Sequence, residues 1–154
     1  NIYFLKMIAV FLFVTLIVSV YSHGKSNGFN DDITWYNDLD EAKAAAKDAN
    51  KPIFVLIHKT WCGACKALKK SFAASDELVK SAENFVMVNL EDDQEPEGDE
   101  WAPDGGYIPR ILYLTKEGEI QPSIINEQGS DKYKYFYSTG DAVLAGMENA
   151  KSKL

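Results

Sequence analysis

Trp61-Cys62-Gly63-Ala64-Cys65-Lys66 contains the only two cysteines of the chain and directly follows the region of the apolar run Ile53-Phe54-Val55-Leu56-Ile57. Two thiols separated by two residues, where a buried strand gives way to a helix, can close a small disulfide across the helix's first turn. The helix N-terminus favours the first sulfur as thiolate, because its unsatisfied N–H groups carry partial positive charge. This pattern describes a thiol–disulfide exchange site. Two other chemistries share the spacing. Zinc needs about four protein ligands in a structural site, or about three plus water in a catalytic one, and beyond this pair the sequence has only His23 and His58. No metal site is therefore expected. An inert structural disulfide is the remaining alternative, and the flanking Trp61 and Lys66 argue against it in favour of an accessible thiolate.

The elements that must position the pair follow from periodicity and breakers. The chain has 154 residues with 46% hydrophobic content, enough for one small domain with a single core. The spacing predicts a helix over 39–50, capped by Asn37 or Asp38 and stopped by Lys51-Pro52. Ile53 to His58 reads as a strand buried on both faces. The dithiol then opens a helix through Ala67, Leu68 and Phe72, and a short helix follows from Ser75. Phe85 to Leu90 reads as a second buried strand, so strand, helix and strand form a βαβ unit with parallel pairing. Ile111–Thr115 and Ile120–Ile125 flank Lys116-Glu117-Gly118-Glu119 as a hairpin. A last helix is expected over 140–151, capped by Ser138 or Thr139. No internal repeat is present.

Charge and termini bound the setting. The net charge is −7 with dispersed Lys and Arg, which excludes a basic stripe for nucleic acid. Lys6 followed by the apolar stretch from Ile8 to Val20 reads as a secretory signal over residues 1–22, starting at Met7 and cleaved after Ser22. Residues 23–34, rich in Gly, Ser and Asn, read as a flexible linker, and 35–154 as the folded domain. A signal of this kind implies an oxidising compartment. The tail Lys151-Ser152-Lys153-Leu154 keeps the first and last letters of a K-D-E-L retention signal, and its Ser-Lys-Leu is literally a peroxisomal tag. The amino-terminal signal acts first, so the endoplasmic reticulum lumen or secretion is the expected localisation, with no membrane association after cleavage.

Strand, W-C-x-x-C-K helix, strand, then Ile108-Pro109 before a hairpin and terminal helix resembles the thioredoxin fold over roughly Trp35 to Lys151. Four blocks, 58–68, 84–92, 103–110 and 133–137, narrow the resemblance to the small thioredoxin relatives of the endoplasmic reticulum, akin to the anterior gradient and protein disulfide isomerase proteins. The resemblance implies an α/β thioredoxin fold, a central mixed β-sheet flanked by helices. It implies a redox-active disulfide of Cys62 with Cys65 and a cis bond at Pro109. It also implies a client-binding surface in which Ile108 pairs with extended substrate, Pro109 faces the dithiol and Trp61 covers the site. Clients would be proteins with thiols or disulfides, and the redox partner glutathione or another disulfide oxidoreductase. No cofactor is implied, and a monomer is expected.

The chain departs from the broader thioredoxin pattern at Leu56, where most members carry a buried Asp or Glu six residues before the first cysteine. The base for Cys65 must then come from water, from the substrate or from His58, which reads here as a rim residue. Gly63-Ala64 neither stiffens the turn as proline does nor adds a cationic donor, so a reduction potential of about −160 to −220 mV is expected. The acidic run from Glu91 to Glu100 reads as a solvated loop, without the glycine and ligand spacing of a calcium loop. Tyr133, Tyr135, Phe136 and Tyr137 read as core and edge packing. The leading reading is a thiol–disulfide oxidoreductase in which Cys62 attacks a client disulfide, or accepts a client thiolate when oxidised, and Cys65 resolves the mixed disulfide. The alternative is a chaperone-like client-binding module of anterior gradient type in which exchange is incidental. Cys65 discriminates, because the single-cysteine relatives lack it.

Overall fold

The computed structural model describes residues 23–154; the expected leader lies outside them. Two six-residue strands form the centre. β2 (Ile53–His58) and β3 (Val86–Glu91) run parallel, with Leu56 opposite Asn89 and His58 opposite Glu91. β1 (Trp35–Tyr36) extends the sheet parallel to β3, and β4 (Arg110–Leu114) closes the other edge antiparallel to β2, giving the order β1-β3-β2-β4. Both central strands are thus paired on both sides and covered on both faces, which is why they read as unbroken apolar runs. β1 was not expected as a strand. Two residues are too short to show a period, and only pairing with β3 defines them.

Side-chain alternation along β2 divides the core. Ile53, Val55 and Ile57 pack with Ala42, Ala45 and Ala46 of α1 (Leu39–Ala49), whereas Phe54 and Leu56 pack with Leu68 and Phe72 of α2 (Gly63–Ala73). α3 (Asp76–Ala82) and α4 (Gly140–Lys153) complete that second layer through Leu78, Val143 and Met147. Asp38 caps α1 by accepting from the N–H groups of Asp40 and Glu41, each at 2.9 Å, and Asn50 ends it in the left-handed region at φ 54°. Thr139 rather than Ser138 caps α4. No helix among the described residues is long and apolar enough to cross a membrane.

Two expectations need revision. Only the first arm of the expected hairpin is a strand: Ile120 makes a single bridge to Leu114, and the chain then turns, with the Ile124 N–H donating to the Gln121 carbonyl. Pro122 explains the break, since it supplies no N–H to a ladder. The segment 23–34, expected as a flexible linker, packs against the domain. Phe29 is fully buried, its ring 5.6 Å from that of Phe72, and the Asn30 side chain donates to the Ala73 carbonyl. An apolar side chain of that size inside a polar stretch anchors the segment.

Candidate active site

β2 delivers the chain to the amino end of α2, where Cys62 is the cap residue. Cys62 and Cys65 form a disulfide, and the Cys62 sulfur also accepts from the Cys65 N–H at 3.0 Å. A sulfur in this position sits where the first turn of the helix presents free N–H groups, so negative charge on it is stabilised once the bond is reduced. In the closed disulfide neither sulfur-bearing residue is open to solvent, Cys62 being 6% and Cys65 1% exposed. Trp61 is 73% exposed, so most of its ring faces solvent rather than the sulfurs. An open cavity of about 360 Å3 lies beside it, lined by Lys59, Thr60, Trp61, Asp92 and Asp93.

The Ile108–Pro109 peptide bond is cis. It directly precedes β4, which pairs with β2, and so the turn stands across from the dithiol: the Ile108 carbonyl lies 3.9 Å from the Cys62 sulfur. Sequence reasoning singled out Trp61, Cys62, Cys65, Ile108 and Pro109, and the fold gathers the dithiol and the cis-proline turn at one end of the sheet. Leu56 is fully buried beneath this end, with no carboxylate in its place.

His58 is not a rim residue. It is fully buried, its ring 4.8 Å from that of Phe29, because the segment 23–34 closes over the end of β2. Asn89 fixes its protonation. The Asn89 amide nitrogen donates to the Ser26 carbonyl at 2.7 Å, so its Oδ1 is the acceptor for both Asn27 Nδ2 at 3.1 Å and His58 Nε2 at 2.7 Å. The proton of the neutral ring is therefore on Nε2. Nδ1 has no hydrogen-bond partner and stands 3.7 Å from a carboxylate oxygen of Glu91. Burial lowers the His58 pKa, outweighing the opposing pull of Asn89 and Glu91.

Part of the acidic run is also structured rather than merely solvated. The Asp92 carboxylate accepts from the Thr60 N–H at 2.9 Å and from the Thr60 hydroxyl; with that backbone bond as the largest cause, its pKa is lowered. The Glu95 carboxylate pairs with Lys59 at 2.6 Å and with the Arg110 guanidinium, which is fully buried. Burial alone would raise the Glu95 pKa, but the bonds from Lys59 and Arg110 win and lower it. Arg110 also donates from Nε to the Trp101 carbonyl at 2.8 Å and from Nη1 to the Tyr107 carbonyl at 2.5 Å. Sequence reasoning assigned no role to Asn89, Glu95 or Arg110. The usable signals were a polar residue inside an apolar strand and an arginine opening another, both of which demand partners when buried. Among the described residues no group of three His, Cys, Asp or Glu is placed to hold a metal ion.

A four-stranded mixed sheet between helical layers, with a C-x-x-C disulfide at a helix start and a cis-proline across from it, defines a thioredoxin-type fold. The sequence profile described as thioredoxin-like matches residues 34–116. The anterior gradient protein 3 of Mus musculus is 36% identical over 111 residues, covering 71% of this chain and 66% of that protein. The anterior gradient protein 2 homolog of Homo sapiens is 32% identical over 125 residues, covering 81% of this chain and 70% of that protein. The chain thus spans about two thirds of the length of these relatives. A thioredoxin from Thermus thermophilus superposes with a TM-score of 0.55 at 19% identity, over 79% of this chain and 89% of that one, which is a likeness of fold. The chain belongs to the thioredoxin-like family, in the group related to the anterior gradient proteins.

Proposed function

We propose that this protein is a thiol–disulfide oxidoreductase acting on client protein disulfides in the secretory pathway, and that residues 1–22 are the signal that takes it there. The observation that carries the reading is the Cys62–Cys65 disulfide at the start of α2, with the Ile108 carbonyl 3.9 Å from the Cys62 sulfur. In the reducing direction the Cys62 thiolate attacks a client disulfide, forms a mixed disulfide and releases one client thiolate. The Cys65 thiolate then attacks the Cys62 sulfur, releases the second client thiolate and closes the Cys62–Cys65 bond. Two electrons pass to the client, and a thiol donor such as glutathione, or another dithiol protein, restores the reduced enzyme. Ile108 and Pro109 align the extended client, and Trp61 with the cavity beside it receives the flanking chain. Within the family, the blocks around Trp61, Phe85, Pro103 and Tyr133 resemble thioredoxin domain-containing protein 12, a finer placement that accords with a lumenal, monomeric enzyme.

The identity to anterior gradient proteins favours a second reading, a client-binding module in which exchange is incidental. Cys65→Ser separates the two. As an enzyme, this variant accumulates covalent client complexes while Cys62→Ser traps nothing and loses reductase activity. Wild-type reductase activity in both variants would leave only the binding module.

A further inference from the structure

Glu95 joins the two loops that flank the dithiol. On one side, its carboxylate takes Lys59 Nζ at 2.6 Å, three residues before Cys62 in the chain. Lys59 is itself tied to the Asp92 carbonyl at 2.6 Å. On the other side, the carboxylate pairs with the guanidinium of Arg110, the residue that follows the cis-proline. That guanidinium turns back on its own loop and donates to the Tyr107 carbonyl at 2.5 Å, spanning the Ile108–Pro109 turn from its far end to its near end. Arg110 is fully buried, and a guanidinium cannot shed its charge to suit an apolar site. Within hydrogen-bond reach, Glu95 supplies the carboxylate that balances it; the other partners of Arg110 are the carbonyls of Trp101 and Tyr107.

We infer that Glu95 is a positioning residue: through Arg110 it holds the Ile108–Pro109 turn in register with the dithiol, and so sets how tightly an extended client docks. The inference rests on the proposed oxidoreductase function. Without the carboxylate, the unpaired guanidinium is costly to keep buried and moves toward water. The Tyr107 carbonyl then loses its donor, and the turn that offers Ile108 to the client loosens. The dithiol itself is held by α2 and β2, so its reaction with a ligand too small to use the turn is preserved. Docking suffers and chemistry does not, which is the pattern of lost uniform binding.

The test compares wild type, Glu95→Gln and Glu95→Asp in two assays, reduction of an extended disulfide-bonded peptide and reaction of the reduced dithiol with glutathione disulfide. Glu95→Gln keeps the size and removes the charge. Its KM for the peptide is expected to rise about tenfold with kcat within about twofold, and its rate with glutathione disulfide to stay within about twofold. Glu95→Asp keeps the charge and should recover part of the peptide KM. An unchanged peptide KM in folded Glu95→Gln overturns the inference. So does an equal loss in both assays, which marks Glu95 as merely structural. Should Glu95→Gln not fold, Glu95→Asp decides on the same KM, its shorter reach predicting a rise of about threefold, with an unchanged value overturning the inference. Wild type that reduces neither substrate would defeat the oxidoreductase reading and this inference with it, whereas turnover of both by wild type with no KM change in the variants defeats the inference alone.

Discussion

His58 carries a bare Nδ1 inside the sheet and a pKa lowered by burial. The unfolded chain takes up a proton near the ordinary histidine value of about 6.5, while the folded chain refuses it until lower pH. The stability that His58 contributes is therefore whole above about pH 6.5 and falls below it, by at most about 1.4 kcal/mol per pH unit. Urea unfolding at pH 7.5 and pH 5.5 should show this loss in wild type and a smaller one in His58→Gln. Equal losses would mean the ring does not titrate across this window. Leu56 poses the converse case, a fully buried apolar side chain in the strand that leads to the dithiol. Leu56→Glu should speed resolution of the mixed disulfide by about 10²-fold, the usual gain from a base within reach. It should also lower the melting temperature, because an unpaired carboxyl is expensive to bury. A stopped-flow resolution rate that stays at the wild-type value in a folded variant would show that water or His58 already serves.

Among the elements, two helical glycines invite the same substitution with opposite results. At Gly146 in α4 an added Cβ would lie 2.7 Å from Tyr137 Cε1 and 3.0 Å from the Tyr113 hydroxyl, and both tyrosines are fully buried. Alanine gains about 1 kcal/mol of helix propensity there, but overpacking a closed core costs about 1–3 kcal/mol. Gly146→Ala should therefore be neutral to destabilising by about 2 kcal/mol, and the close approach of α4 to those rings is the reason for the glycine. Gly63, in the first turn of α2, has nothing within 4 Å of the added Cβ. Gly63→Ala should stabilise by about 0.4–1 kcal/mol, largely through the unfolded chain. Chemical denaturation of the two variants side by side checks both signs.

For the whole molecule, the segment 23–34 belongs to the core rather than to a tether. Phe29 closes over Phe72 and His58, and the Ser26 carbonyl and Asn27 side chain satisfy Asn89. Phe29→Ala should cost about 3–5 kcal/mol of stability, the range for removing a buried aromatic ring. A domain cut to begin at Trp35 should melt well below one beginning at His23, and equal melting temperatures would return the segment to linker status. Acid should unfold the protein partly through Glu95: the folded carboxyl lies below its ordinary value, so its contribution is present above about pH 4.3 and lost as pH falls through the folded value. The acid limb of a stability curve should be shallower in Glu95→Gln.

The sequence by itself determined the dithiol, the helix that carries it, the two central strands and the terminal helix, because each is written in local signals: spacing, an apolar run, a cap. It also marked Ile108-Pro109, through resemblance rather than through local propensity. Only the tertiary structure decided that Trp35–Tyr36 is a strand, that Phe29 is core, that His58 is buried, and that Glu95 lies between Lys59 and Arg110. Those facts depend on pairs 15 to 63 positions apart in the chain, such as Glu95 with Arg110 and Asn89 with Ser26. A carboxylate in an acidic loop looks the same in sequence whether water or a buried guanidinium is its partner, and the packing of the chain makes that choice.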